Sequence, residues 1–250
     1  MSEVNPYAAP NSSLQHPVST QPVLSIEKAL QRGYDFSIDG LISEAWQLVK
    51  GSKGILFAGF VVFYLIIIAI SIALTLAFGG VSVLSGSAEL GIVGELLTNL
   101  LVSALTYPFL AGIMMVGIRR AAGQPIAFNQ LFQHFDKLLP LVITGVLSTL
   151  LISIGFMLFV LPGLYLSIAY MLAMPLVVER GLSPWQALET SRKAISQHWF
   201  KVLALLVVLT IIVLISAIPL GIGLIWSLPL LIIASGVLYR TIFGVLPAAQ

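Results

Sequence analysis

The chain has 250 residues, of which 58% are hydrophobic and only 9% are charged, and its formal net charge is +2. A soluble domain carries about 25% charged residues, so this composition excludes an ordinary soluble protein. Together with the mean hydropathy of +1.04, it predicts an integral membrane protein. The absence of cysteine excludes disulfide bonds and cysteine-based metal sites.

The amino-terminal residues 1–24 are polar and rich in proline, which predicts a disordered cytoplasmic tail. Asn5-Pro6-Tyr7 is either a short peptide-recognition motif or simply part of this tail. The first residues are too polar for a secretory signal peptide, so the first apolar segment is expected to remain as a membrane anchor. Residues 25–54 are expected to form two cytoplasmic helices, one beginning at Ser25 and an amphipathic one over 37–50.

Six apolar segments predict six transmembrane helices, because a helix needs about 20 apolar residues to cross a hydrocarbon core of about 30 Å. These segments make up a transmembrane domain over 55–243 and lie at residues 55–78, 92–118, 138–161, 164–178, 202–218 and 222–239. A Gly/Ser-rich loop is expected over 79–91, with tight turns at Pro162-Gly163 and Pro219-Leu220-Gly221. Residues 244–250 are expected to be a short cytoplasmic tail.

An amphipathic segment precedes each pair of predicted spans, at residues 37–50, 128–137 and 183–198. The third begins at Ser183-Pro184-Trp185-Gln186, which combines an N-cap serine, a proline at the first helical position and a capping-box glutamine. Four of its apolar side chains are expected to share one face: Trp185, Leu188, Ile195 and Trp199. The predicted fold is therefore all-α, with six transmembrane helices as three hairpins, each preceded by a cytoplasmic interfacial helix.

The distribution of charge predicts the orientation in the membrane. With six spans, both termini fall on one side, and so do all twelve basic residues: Lys28, Arg32, Lys50, Lys53, Arg119, Arg120, Lys137, Arg180, Arg192, Lys193, Lys201 and Arg240. The predicted loops on the other side contain no basic residue, and the charged residues near that side are Glu89 and Glu95. By the positive-inside rule, the basic side and both termini are cytoplasmic.

One proline lies in the second helix of each predicted hairpin, at Pro108, Pro175 and Pro229. These residues are candidate helix kinks. They either form packing kinks, which membrane helices tolerate, or unwind the helices around a substrate. The repeated order of elements predicts three like-oriented hairpin units.

Three stretches carry a resemblance to a known family: residues 36–46 (Phe-Ser-Ile-Asp-Gly-Leu-Ile-Ser-Glu-Ala-Trp), residues 161–165 (Leu-Pro-Gly-Leu-Tyr) and residues 175–191 with the following His198-Trp199-Phe200. Through them, residues 34–243 resemble uncharacterised bacterial multi-pass inner-membrane proteins. The layout is similar to the membrane domain of some glycerophosphodiester phosphodiesterases and to YciC-like proteins. The resemblance implies a bacterial cytoplasmic (inner) membrane location. It implies no catalytic role, because the 250 residues do not include the soluble barrel of those enzymes.

No catalytic, cofactor or metal site is predicted. His16, His134 and His198 are not clustered with other ligands, as a metal site requires. There is no Gly-x-Ser-x-Gly motif and no glycine-rich phosphate loop after a strand. The chain is therefore expected to be no enzyme, and to bind neither a cofactor nor nucleic acid.

The first candidate site is a polar face on the second span, because polar groups inside a membrane are costly and commonly functional. Its residues lie at spacings of four, four and three, followed by a tyrosine: Glu95, Asn99, Ser103, Thr106 and Tyr107. The face is either a polar path or ligand site that opens to the outside, or a set of hydrogen bonds between helices.

The second candidate site consists of basic and aromatic residues at the cytoplasmic headgroups. Each exposed basic residue adds about 1 kcal/mol of attraction to anionic lipid. The candidate headgroup contacts are Arg119, Arg120, Trp185, Arg192, Lys193, Trp199 and Lys201. The alternative is that these charges only fix the topology.

Two functions remain open at this point. The favoured one is a non-enzymatic inner-membrane protein that organises the membrane, interacts with lipids that include anionic ones, or docks a protein partner at its cytoplasmic face. The alternative is a permease for small molecules or lipids, built from three parallel hairpin repeats. The pattern of residues predicts no oligomeric state.

Overall fold

The computed structural model describes residues 25–247, and every regular element in that part of the chain is a helix. Six stretches are long and apolar enough to cross a membrane: Lys53–Ser85, Ala88–Ala121, Phe128–Leu158, Val160–Arg180, Trp199–Ala217 and Leu224–Phe243. The prediction of an all-α protein with six apolar spanning helices is confirmed. The predicted tail over 1–24 and the last three residues of the predicted tail over 244–250 lie outside the described residues.

Two short helices precede the first span, α1 (Ile26–Arg32) and α2 (Ile38–Val49). The Ser25 hydroxyl accepts a hydrogen bond from the Lys28 N–H at 3.4 Å, as expected of an N-cap residue. In α2, Leu41, Ala45 and Val49 are buried against the spanning helices. Their spacing places them on one side of the helix, so packing on the bundle holds α2 in place.

The first two spans are longer than predicted. The first comprises α3 (Lys53–Leu74), a π-helical segment (Thr75–Gly79) and α4 (Gly80–Ser85), and the second is α5 (Ala88–Ala121). The predicted loop over 79–91 is therefore wrong, since only Gly86 and Ser87 separate the two helices. The reason is that apolar residues continue between the glycines and serines of this stretch. In an apolar solvent, a helix is the conformation that satisfies each backbone group within its own segment.

The third span begins with a 3-10 helix (Phe128–Lys137) that leads into α6 (Leu138–Leu158). The chain then reverses at Phe159, whose backbone is extended with φ −166° and ψ 153°. The turn predicted at Pro162-Gly163 is therefore wrong by three residues. Pro162 lies instead in the first turn of α7 (Val160–Ala169), where the missing N–H of proline costs no helical hydrogen bond.

The fourth span is broken rather than continuous, and it extends beyond the predicted 164–178. It consists of α7 and α8 (Ala173–Arg180), separated by residues 170–172. Pro175 lies in the first turn of α8, directly after this break. The helix interruption expected near Pro175 is thus a three-residue gap on its amino-terminal side.

The remaining helices are α9 (Pro184–Ser196), α10 (Trp199–Ala217) and α11 (Leu224–Phe243). The turn predicted between the last two spans is confirmed, because Leu220 and Gly221 have positive φ values of 52° and 77°. The capping box predicted at the start of α9 is present, and in it the side chain of Gln186 accepts a hydrogen bond from the Ser183 N–H at 3.2 Å.

The helices α5 and α11 form the centre of the bundle. In their most apolar windows, 50% and 61% of the residues are buried, against 17% for both the first and the fifth span. The two helices cross at Gly117 and Gly236, where a Cβ atom added to Gly236 would lie 2.5 Å from the carbonyl carbon of Gly117. Glycine at both positions therefore lets the two backbones touch. The threefold hairpin repeat and the interfacial position of α2, the 3-10 helix and α9 stay predictions.

Candidate functional site

Several basic side chains lie at one end of the bundle, here called the basic end, where α5, α8 and α11 finish. Arg119 and Arg120 occupy the last turn of α5, Arg180 the last turn of α8, and Arg240 the last turn of α11. The last carbonyl groups of a helix have no partner within the helix. Cations near this end stabilise the helix because they pair with those carbonyl groups and with its dipole.

Most of these cations bind the carbonyl oxygens of a neighbouring helix. Arg120 donates from Nε to the Leu48 oxygen at 2.9 Å and from Nη2 to the Lys50 oxygen at 2.6 Å, which closes the end of α2. Three more pairs follow the same pattern: Lys137 with Val178, Arg180 with Phe243, and Arg240 with Ala121. The basic residues therefore join the helix ends to one another, in addition to any effect on topology.

Glu179 is the buried acid of the basic end, with a side chain that is only 4% exposed. It accepts hydrogen bonds from the Tyr239 hydroxyl and from the Leu246 N–H, the latter at 2.7 Å. Arg180 Nε lies 3.2 Å from its carboxylate. A buried charge is tolerated only when it is paired and hydrogen-bonded, and these three donors meet that condition. Glu179 therefore ties α8 to α11 and to the residues that follow α11.

A polar cleft of about 460 Å³ opens beside Glu179, between the end of α5, the 3-10 helix, the end of α8 and residues 245–247. The side chains that matter for its chemistry come from three of these elements: Arg119, Gln133, His134, Asp136, Lys137 and Glu179. The cleft lies where spanning helices end, so it is level with the boundary between the apolar helices and their polar ends.

The cleft offers unused positive charge. Within residues 25–247, the Arg119 side chain makes no hydrogen bond or ion pair, although its charge acts on His134. The Lys137 ammonium group donates one of its three N–H groups to the Val178 oxygen at 2.7 Å. His134 Nε2 is buried and has no hydrogen-bond partner among the described residues. Glu179 is already compensated, and Asp136 is the other acid that lines the cleft. The free N–H groups of Arg119 and Lys137 suit a phosphate or a carboxylate.

The other basic residues predicted to contact headgroups lie apart from the cleft. Arg120 binds backbone carbonyl oxygens, and the remaining ones have acidic partners. Arg192 binds Glu189 through two hydrogen bonds of 2.9 and 2.8 Å, and Lys193 lies 3.5 Å from the same carboxylate. The Arg192 hydrogen bonds lower the pKa of Glu189, and the same bonds raise the pKa of Arg192. Only Arg119 of the predicted set lines this cleft.

Lys201 has a similar arrangement at the start of α10. Its ammonium group lies 2.5 Å from the carboxylate of Asp35 and 5.9 Å from the centre of the Phe36 ring. This hydrogen bond lowers the pKa of Asp35 below its ordinary value. Lys201 therefore holds the chain between α1 and α2 against the start of α10.

The expected common face of α9 is wrong in part. Leu188 and Ile195 are buried, whereas the Trp185 side chain is 60% exposed. Trp199 is partly buried and donates from Nε1 to the Tyr165 oxygen at 3.4 Å. The two tryptophans are thus in different surroundings, because the buried face of α9 follows Leu188, Ser191 and Ile195 instead.

The predicted polar face of α5 divides into two parts. Thr106 donates to the Val102 oxygen of its own helix at 2.7 Å, and Tyr107 packs against Gly145 of α6. Glu95, Asn99 and Ser103 are exposed on the outside of the bundle. In the described part of the chain they make no hydrogen bond to another helix. Glu95 and Asn99 line a cleft of about 350 Å³ that α5 forms with Thr75 and Phe78 of the first span. Both interpretations of the polar face stay predictions.

Ser191 is an important residue that the sequence did not single out. Its hydroxyl accepts a hydrogen bond from the Leu172 N–H at 3.1 Å and donates one to the Ala169 oxygen at 2.6 Å. Both backbone groups belong to the break in the fourth span, so one side chain of α9 satisfies both sides of the gap. The only sequence signal was its spacing from Leu188 and Ile195, which places all three on one face.

The other two candidate kinks lie inside helices, Pro108 in α5 and Pro229 in α11, and both are buried. No group of three His, Cys, Asp or Glu residues suited to a metal ion occurs between residues 25 and 247. Comparison with family models, with curated proteins and with solved structures found no significant match. The resemblance drawn from the sequence therefore stays a prediction, and the site carries the functional argument.

Proposed function

We propose that the chain is a non-catalytic protein of the bacterial inner membrane that binds the phosphate headgroup of an anionic lipid in the cleft at the basic end. The observation that carries this proposal is the unpaired guanidinium of Arg119 in a cleft that also holds spare donors of Lys137. An arginine suits this role because its fork of N–H groups matches two phosphate oxygens at once.

The position of the cleft supports a lipid as the source of the phosphate. Arg119 lies in the last turn of a spanning helix, and Lys137 directly precedes the apolar helix α6. Under the positive-inside rule the basic end faces the cytoplasm, and both termini lie there. The cytoplasmic leaflet holds anionic lipids, whose headgroups lie at this depth. The exposed Trp185 is a further headgroup contact in this proposal, as tryptophan favours that layer.

Native mass spectrometry of protein released from nanodiscs tests the proposal. The discs contain phosphatidylcholine with a fixed fraction of phosphatidylglycerol, and the measured quantity is the phosphatidylglycerol retained per protein. Arg119→Gln and the double variant Arg119→Gln/Lys137→Gln are expected to retain about tenfold less, since charge-assisted hydrogen bonds are lost. Lys28→Gln/Lys193→Gln removes the same charge from exposed sites elsewhere and is expected to retain the wild-type amount.

Two outcomes would contradict the proposal. Equal losses in the cleft variants and in the exposed pair would show that lipid retention depends on total charge rather than on the cleft. Displacement of the lipid by millimolar inorganic phosphate, with equal retention of phosphatidylcholine and phosphatidylglycerol afterwards, would assign the cleft to a free anion.

The permease alternative is favoured by one observation, the break at residues 170–172 in the fourth span. Broken helices line substrate sites in many transporters because they free backbone groups for a ligand. Here Ser191 occupies the N–H of Leu172 and the oxygen of Ala169, which weakens that argument. A single cysteine at Tyr170 distinguishes the two functions. Rapid reaction with a water-soluble thiol reagent supports a permease, and protection supports a closed bundle.

A further inference from the structure

The stretch of α5 from Ile92 to Leu110 carries an exposed seam, here defined as Ile92, Leu96, Asn99, Ser103 and Leu110. Successive members are separated by four, three, four and seven residues, which is the repeat of helices that pair along their length. Ile92 and Leu96 are 59% and 64% exposed, and Asn99 and Ser103 are also exposed. A helix-pairing seam is therefore present along α5, and at Asn99 it borders a cleft of about 350 Å³ that Thr75 and Phe78 of the first span also line.

The chain covers a different side of the same stretch. Gly94 is buried, and a Cβ atom added to it would lie 2.3 Å from the Cβ atom of Phe78 in the π-helical segment. Thr98 satisfies its hydroxyl within α5 by donating to the Gly94 oxygen at 2.8 Å. The contact with the first span thus uses the Gly94 side of α5, and of the seam residues only Asn99 lines the cleft beside this contact.

The depth of the seam places one of its polar groups inside the hydrocarbon core and a second one at the edge of the core. A hydrocarbon core of about 30 Å corresponds to about 20 residues of helix. Counted back from Arg119 in the last turn of α5, Ser103 lies within the core and Asn99 lies at its far edge. The Asn99 carboxamide has no hydrogen-bond partner within residues 25–247. A carboxamide at this depth is stabilised by a partner that both donates and accepts.

We infer that a second copy of this chain covers the seam, with Asn99 of each protomer bonded to its counterpart across a twofold axis. Two copies inserted with the same topology present parallel helices, and a twofold axis places each seam residue opposite itself. The asparagine side chain is self-complementary because it carries both donors and an acceptor. A single asparagine in such a seam also fixes the register of the pair. This inference is independent of the proposed lipid site.

The edge of the seam agrees with a second copy. Glu95 lies one position before Leu96 and therefore flanks the seam. Two Glu95 carboxylates then lie on opposite sides of the pair, near the far headgroups, and are not forced together. A partner with a basic side chain at this point would be a different proposal, and no basic residue of this chain occurs between Lys53 and Arg119.

Disulfide cross-linking in liposomes tests the inference, because the natural chain contains no cysteine. Leu96→Cys and Ser103→Cys place the thiol in the seam and keep Asn99. Leu97→Cys and Leu101→Cys are matched controls, since both side chains are exposed at the same depth but lie off the seam. The seam variants are expected to give at least about five times more covalent dimer under a membrane-permeant oxidant, as the 3.5-residue repeat requires.

Adding Asn99→Leu to Ser103→Cys is expected to reduce the dimer yield by about threefold or more, because it removes the bond across the axis but keeps an apolar seam. Equal yields from seam and control positions would overturn the inference and assign the seam to lipid. An undiminished yield with Asn99→Leu would also overturn it, as far as the role of Asn99 is concerned. The cross-linking comparison needs no variant that removes a buried side chain, so misfolding does not obscure it.

Discussion

Arg120 donates two hydrogen bonds to the backbone at the end of α2, whereas its neighbour Arg119 lines the cleft, and the Arg119 guanidinium has no hydrogen-bond partner among residues 25–247. Consecutive residues of a helix lie about 100° apart, so the two guanidinium groups of this pair face different surroundings. The pair therefore separates the structural role of Arg120 from the binding role that we propose for Arg119.

Arg120→Gln is expected to lower the free energy of unfolding by about 2 kcal/mol, because charge-assisted bonds to the Leu48 and Lys50 oxygens are lost. Arg119→Gln is expected to leave it unchanged in zwitterionic detergent. Thermal unfolding followed by tryptophan fluorescence measures both. Equal destabilisation by the two variants would contradict the division of roles.

Ser191→Ala is expected to cost about 2 to 3 kcal/mol, because it leaves the Leu172 N–H and the Ala169 oxygen unsatisfied in a buried place. Ser167→Ala is the matched control, since this exposed hydroxyl only donates to the Leu164 oxygen one turn earlier. The same unfolding measurement compares them. If the two alanine variants unfold at the same temperature, Ser191 does not stabilise the broken span.

Gly236→Ala is expected to destabilise the protein by about 1 to 3 kcal/mol, because the new methyl group would collide with the backbone of Gly117. The neighbouring helix cannot yield by a side-chain rotation there, since the atoms it presents are backbone atoms. Gly54→Ala serves as the control, as a Cβ atom at Gly54 has no atom within 4 Å. Comparable stability of the two variants would show that α5 and α11 do not cross in contact at these glycines.

Asp35→Asn is expected to have a small, pH-dependent effect. The Lys201 hydrogen bond lowers the pKa of Asp35 below its ordinary value of 3.8 in the folded state. A lowered folded-state pKa means that the ion pair contributes stability above about pH 3.8 and loses it as the pH falls through the lowered value. Unfolding midpoints of wild type and variant should therefore differ at neutral pH and converge in acid.

High salt should also reduce the difference between wild type and Asp35→Asn, because the ion pair is exposed. A difference that grows in acid would contradict this assignment of the Asp35–Lys201 pair.

The six spans were predictable because hydropathy over about 20 residues decides whether a helix prefers a membrane. The loop over 79–91 was not, since its glycines and serines follow the pattern of turns in water, whereas an apolar solvent favours continued helix. The break at residues 170–172 was hidden because it depends on Ser191, which comes from another helix. Local sequence carries no information on a partner of that kind.

The candidate site was predictable in one residue, Arg119. The different surroundings of Arg120, Arg192 and Lys201 depend on how each helix is rotated and on which groups face these side chains. Both are properties of the tertiary structure. From the sequence, His134 was only excluded from a metal site, and Lys137 was used only to predict the topology. The cleft shows that the 3-10 helix brings both residues to the end of α5.

The most direct test of the lipid site uses a single cysteine at Gln133, an exposed residue that lines the cleft. Gln47→Cys in α2 is the reference, because it is exposed away from the cleft and corrects for the surface potential of an anionic bilayer. The rate of reaction with a water-soluble thiol reagent is measured in phosphatidylcholine nanodiscs with and without phosphatidylglycerol. The account predicts that phosphatidylglycerol slows the reaction at Gln133→Cys by about fivefold relative to Gln47→Cys, and that Arg119→Gln abolishes this protection. Equal slowing at both positions, or protection that persists without Arg119, would contradict it.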